Sequence, residues 1–115
     1  MPALSAHYRE VGLVTIAILD GRIELGEGRT IFRNTLKELI AKNRLRIILN
    51  LSGVNAVDSA GIAELISAYV PLKTGGGVLK LLNPTKKVLA MLEITQLSKV
   101  FEVYFDEDAA LSSFQ

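Results

Sequence analysis

Leu45-Arg46-Ile47-Ile48-Leu49-Asn50-Leu51, then Ser52-Gly53-Val54-Asn55-Ala56-Val57, then Asp58-Ser59-Ala60-Gly61-Ile62 form the stretch whose reading decides the fold of this chain. The first part is nearly continuous in apolar residues, as a strand buried in a parallel sheet must be. The second part reads as a short polar connection. From Ile62 the residues Ile62, Ala63, Leu65, Ile66, Tyr69 and Val70 recur at helical spacing, with Glu64, Ser67 and Lys73 expected outward. A strand entering a helix in this way sets the Ser59 hydroxyl at the positive end of the helix, beside N–H groups with no partner of their own. A phosphate carried there would be favoured, which makes Ser59 a candidate phosphorylation switch. Asp58 and Ser59 are also common capping residues, and either could simply bind an orphan N–H.

The flanking segments repeat the alternation. Leu13 to Leu19 is apolar and rich in β-branched residues and ends at the turn signal Asp20-Gly21, which predicts a strand inside a sheet. His7 to Glu10 is expected as a short edge strand joined to it through Val11-Gly12. Between Thr30 and Lys42, Ile31, Phe32, Leu36, Leu39 and Ile40 keep helical spacing, and Asn43 is a plausible stop. After Ser59 the helix should kink or end near Val70, because Pro71 lacks an N–H and clashes with the preceding turn. Gly75-Gly76-Gly77 breaks the element, and Val78 to Leu82 is the next strand. Asn83-Pro84 predicts a cap and a first helical residue for a helix lined by Val88, Leu89, Met91 and Leu92. Val100 to Phe105 reads as the last strand, with Asp106 capping a short helix through Ala109, Ala110, Leu111 and Phe114. The fold class is therefore α/β: one domain over residues 1–115, with a mixed, mostly parallel sheet of about four to five strands covered by about four helices.

Composition narrows the function. The chain has 115 residues, enough for one core, and its 50% hydrophobic and 6% aromatic content makes that core mainly aliphatic. Thirteen basic against twelve acidic residues leave a net charge of +1, too little to draw nucleic acid or anionic membrane. No apolar run approaches the length of a membrane span, and Met1 to Glu10 lacks the pattern of a signal peptide. The absence of cysteine removes disulfides, thiolate metal sites and thiol nucleophiles, and fits a cytoplasmic home.

Catalytic readings find little support. His7 is the sole histidine and sits far from Ser59 in sequence, near an N-terminus expected to be flexible, so no Ser-His-Asp arrangement is credible. No ligand spacing for a metal is present, and no cofactor is expected. Asp20, Glu24 and Glu27 could act as acid and base, but nothing around them supports it, and Arg22, Arg29 and Arg33 read as solvated. Gly21, Gly26 and Gly28 read as the pivots of a tight loop. The triple glycine lacks the Lys-Ser/Thr of a phosphate-binding loop, which argues against nucleotide hydrolysis.

Ile48-Leu49-Asn50-Leu51, Val54 and Val57-Asp58-Ser59-Ala60-Gly61-Ile62 resemble the strand, loop and phosphoacceptor signature of the STAS family, specifically its bacterial anti-sigma factor antagonists. Leu13 to Gly21, Gly75-Gly76-Gly77, Leu81 to Pro84 and Val100 to Phe105 follow in the family's order. The chain departs from the pattern at Ala60, at Ile62-Ala63 and at Pro71. The resemblance implies a non-enzymatic protein that binds an anti-sigma factor/serine kinase through Asp58, Ser59, Ala60, Gly61, Ile62 and Glu64 and so releases a sigma factor. Phosphorylation of Ser59 would end that binding, and a PP2C-type phosphatase is the matching partner for resetting it. Oligomeric state stays open. The alternative the resemblance allows is a non-switching subunit of a signalling scaffold or of a lipid-transport ATPase complex.

Overall fold

The computed structural model describes residues 2–115. Its elements are β1 (Leu4–Val11), β2 (Val14–Ile23), α1 (Glu27–Ala41), β3 (Arg46–Val57), α2 (Ser59–Thr74), β4 (Val78–Leu82), α3 (Lys86–Ile94), a 3-10 turn (Leu97–Lys99), β5 (Val103–Tyr104) and α4 (Glu107–Ser112). The five strands lie side by side in chain order; β1 and β2 form an antiparallel hairpin and every later pair is parallel. The expected α/β architecture, with a mostly parallel sheet and four helices, is the one observed.

Side chains alternate across the sheet, so the two faces acquire separate cores. On one, Ala17, Leu19, Ile47, Leu49, Leu79 and Leu81 meet Phe32 and Leu36 of α1, Ile62 and Leu65 of α2, and Val88 and Leu92 of α3. On the other, Val14, Ile16, Ile48 and Leu82 meet Ala110 of α4, with Leu111 and Phe114 packed alongside. The larger core fixes where α2 starts, and with it Ser59.

Several boundaries differ from the sequence reading. β3 does not stop at Leu51: it stays paired to β2 as far as Val57, with register shifts between Ile18 and Asp20 and between Gly21 and Arg22. Each shift accommodates one extra β3 residue, a bulge, which is why Ser52 to Val57 reads as a connection in the sequence alone. Gly53 lies at the first of them, where a Cβ would fall 2.9 Å from the Leu19 carbonyl oxygen and would displace the Asp20 carboxylate. His7 is not in a flexible terminus but in β1, opposite Ile18. The Gly21 to Gly28 loop shrinks to Glu24–Gly26, because β2 runs to Ile23 and α1 begins at Glu27.

Pro71 neither kinks nor ends α2 at Val70; the helix continues to Thr74. Proline this near the end removes one hydrogen bond, and Leu72, 2% exposed in the core, holds the final turn in place. Thr85, not Asn83, caps α3: its hydroxyl accepts from the Val88 N–H and donates to the Val54 carbonyl at 2.9 Å. Asn83 lies just past the end of β4, its N–H bonded to the Tyr104 carbonyl oxygen. The last strand is only Val103–Tyr104.

Candidate functional site

Asp58 follows β3 in extended conformation and caps α2, its Oδ1 accepting the Gly61 N–H at 3.0 Å. Its Oδ2 accepts the Leu25 N–H at 2.9 Å, tying the β2–α1 loop to the same helix end. The hydrogen bond from Leu25 is the main reason the carboxyl titrates below its ordinary range, while partial burial opposes the shift. Capping therefore falls to Asp58, and Ser59 becomes the first helical residue, exposed to solvent. The helix start is close against β2, since a Cβ on Gly61 would lie 2.2 Å from the Ile23 carbonyl oxygen.

The remaining residues expected at the site have distinct surroundings. Ala60 is half-buried, Gly61 and Ile62 are buried in the core, and only Asp58, Ser59 and Ala60 keep exposed surface at the helix end. Glu64 does not face outward: its Oε1 accepts from Arg33 at 3.0 and 2.6 Å, with Arg29 at 3.8 Å, and its side chain is 11% exposed. Arg33 is the leading cause holding the Glu64 carboxyl below its usual range. Arg29 and Arg33 are thus engaged by a carboxylate of the chain itself rather than solvated. That cluster locks α1 to α2.

The face of α2 turned to solvent was not foreseen. Ser59, Ala63, Ile66 and Val70 follow one another at helical spacing and all are exposed, Ile66 by 40% and Val70 by 55%. Leu25, held at the same helix end by Asp58, is 71% exposed. The signal was in the sequence, for α2 is apolar on more sides than one core needs. Reading Ile62 to Val70 as a single buried face hid it.

Asp20, Glu24 and Glu27 do not converge. Glu24 pairs with Arg22 at 3.5 Å, Glu27 accepts the Ala3 N–H at 2.6 Å, and Asp20 sits against Gly53. A cavity of about 560 Å³ opens beside Leu25 among Arg22, Glu24, Glu27 and Asn55, yet its carboxylates are already partnered. Among the described residues no group of His, Cys, Asp and Glu is placed to hold a metal ion, and no helix is long and apolar enough to cross a membrane.

The STAS domain family model matches residues 8–110. A Thermotoga neapolitana protein provisionally named as an anti-sigma factor antagonist is 24% identical over 108 residues, covering 94% of this chain and 96% of its own length. The crystal structure of a Thermotoga maritima protein with the same provisional name superposes with a TM-score of 0.86 at 22% identity, over 94% of this chain and 92% of that one. The anti-sigma factor antagonist SpoIIAA in its unphosphorylated form is similar at a TM-score of 0.69 and 18% identity, covering 96% of this chain and 97% of its own. At these identities the structural likenesses establish the fold.

Proposed function

The chain belongs to the STAS domain family, and on that premise we propose that it is an anti-sigma factor antagonist that binds an anti-sigma factor/serine kinase while Ser59 is unmodified. Binding releases a sigma factor, and phosphorylation of Ser59 ends it. The observation that carries this reading is the division of labour at the α2 terminus. Asp58 supplies the cap, so the Ser59 hydroxyl is free of that duty and open to solvent. The relatives named as anti-sigma factor antagonists support the same reading.

The contact surface in this proposal is the exposed line Ser59, Ala63, Ile66 and Val70 with Leu25, rather than the buried Gly61 and Ile62. Apolar residues repeated along the outside of a helix suit a protein partner. A phosphate on Ser59 adds about −1.5 to −2 charge next to Asp58. In free protein it is hydrated and favoured by the helix end; under a partner it must be desolvated near a like charge. A penalty of about 3 kcal/mol weakens binding roughly 100-fold, enough to reverse a competition without any change of fold.

The test is intact-mass analysis of the protein incubated with ATP and a serine-kinase anti-sigma factor from its source organism, followed by site mapping. One phosphate on Ser59, with tight binding by Ser59→Ala and weak binding by Ser59→Asp, is expected. Equal affinities for wild type and both variants would rule out the switch. Co-purification with an ATPase complex that ignores ATP and kinase would favour the subunit role instead.

A further inference from the structure

Arg29, Arg33 and Lys37 follow one another along α1 at four-residue spacing and so share the face of the helix that turns to α2. They meet a single carboxylate. Glu64 Oε1 accepts two hydrogen bonds from Arg33, at 3.0 and 2.6 Å, while the Arg29 Nε–H, 3.8 Å away, is buried without an acceptor. Lys37 is exposed and, among the described residues, has no carboxylate within ion-pair distance. Three cations against one carboxylate leave two positive charges unmatched on this side of the molecule. Beside them α1 and α2 part to form a groove of about 310 Å³ whose apolar wall is Leu36, Ile40, Ala41, Ala68 and Pro71. Ser67 stands on its rim, exposed and next to Ile66 and Val70, so the groove continues the outer line of α2. Pro71 has no N–H, and the Ser67 carbonyl four residues before it therefore lacks its helical donor.

We propose that the partner bound by α2 also sets an apolar side chain in this groove and a carboxylate against Lys37 and Arg33. The inference rests on the antagonist reading above and adds the chemistry that its partner presents. Charge complementarity selects that chemistry, because the one carboxylate of the lining, Glu64, is already engaged by arginine. The volume takes a large side chain of the kind that anchors protein interfaces. A second copy placed face to face by a two-fold axis would bring Arg33 and Lys37 against the same cations, which is repulsive. An anionic bilayer would satisfy the charges, but it is flat against a concave surface and has no N–H to offer the Ser67 carbonyl, whereas a polypeptide has one at nearly every residue.

The two parts of the surface divide the work. Ser59 starts α2 and reports its own modification, while Lys37 and Pro71 lie two to three turns further along the helix pair. The groove thus acts on partner choice: an anti-sigma factor that carries a basic residue in place of the carboxylate is rejected whatever the state of Ser59.

The test uses the full chain, ¹⁵N-labelled and unphosphorylated, titrated with the serine-kinase anti-sigma factor of its source organism. Amide shifts are expected at Lys37, Ile40, Ala41 and Ala68 as well as along the outer line of α2. Calorimetry should show affinity reduced about tenfold by Lys37→Glu and unchanged by Lys99→Glu, an equal change of net charge at another exposed lysine. Raising NaCl from about 50 to about 500 mM should weaken wild type more than Lys37→Glu. Tight binding of the anti-sigma factor with equal affinities for wild type and Lys37→Glu, with equal losses in both lysine variants, or with shifts confined to α2 would overturn the inference and leave the antagonist reading standing. No binding by wild type would overturn both. Capture by phosphatidylglycerol vesicles that Lys37→Glu abolishes, with affinity for the anti-sigma factor unchanged, would make the groove a lipid site instead.

Discussion

The Asp58 carboxylate accepts the Leu25 N–H at 2.9 Å across 33 residues of chain while its other oxygen caps α2 through Gly61 at 3.0 Å. One side chain thereby sets both the start of the helix and the position of the loop that precedes α1. The exposed Ser59 and the exposed Leu25 owe their relative placement to it.

Removing that carboxylate should cost stability. Asp58→Ala loses a cap and a tether together, and the cap alone contributes about 1 kcal/mol. Asp58→Asn keeps an acceptor for one N–H and should lose less. Urea midpoints of the three proteins check the order.

The same hydrogen bonds predict a pH dependence. The Asp58 and Glu64 carboxyls both titrate below their ordinary range in the folded protein, Asp58 chiefly through Leu25 and Glu64 chiefly through Arg33. The unfolded chain then takes up protons first as the pH falls, so the stabilisation is present above the unfolded values, about pH 4, and disappears as the pH drops through the folded ones. Thermal unfolding of wild type should weaken on acidification below about pH 4, and Asp58→Asn should show a shallower fall over that window. Parallel profiles would contradict the link.

Gly61→Ala sets two effects against each other. Alanine is the better helix former by about 1 kcal/mol, but its Cβ would sit 2.2 Å from the Ile23 carbonyl oxygen, backbone that cannot swing aside. Overpacking of this kind typically costs 1 to 3 kcal/mol, here roughly at the upper end, so the net change should be destabilising. A raised melting temperature for Gly61→Ala would mean that α2 can shift away from β2.

Lys80 is 5% exposed in β4, and its ammonium donates to the Ser113 carbonyl at 3.1 Å and the Ser113 hydroxyl at 2.7 Å, 4.5 Å from the centre of the Phe114 ring. It ties the end of the chain to the sheet. Lys80→Ala should destabilise by about 2 kcal/mol, through lost packing of the stem and an orphaned carbonyl. Lys80→Met, which keeps the stem, should cost less. Amide exchange in α4 should accelerate more than in α1 for both variants.

How far the sequence could be read depended on which forces were local. Alternating apolar segments announced every strand and helix of the sheet, since burial on one face imposes its period on the chain. Ser52 to Val57 misled because two bulges let polar residues remain in a strand, and only the partner β2 reveals that pairing. Pro71 misled because Leu72 outweighs its local penalty. Ser59 was legible as the end of a helix, but the choice of Asp58 as cap needed Leu25, 33 residues away. Glu64 was misjudged for the same reason: its arginines belong to another helix.

The outer face of α2 allows stability and binding to be separated. Ile66 and Val70 are 40% and 55% exposed, so Ile66→Lys and Val70→Lys remove little core contact. Substitutions at such positions usually change stability by no more than about 0.5 kcal/mol. Under the antagonist reading they nonetheless place an ammonium in the partner interface, where an unpaired buried charge is strongly unfavourable. Each should reduce affinity for the anti-sigma factor at least about tenfold, which corresponds to roughly 1.4 kcal/mol. Calorimetric titration of folded variants checks this, with Ile94→Lys, 78% exposed on α3, as the control expected to bind normally. If all three variants bind like wild type, the exposed line on α2 is not the contact surface, and the apolar residues on its outer side need another occupant.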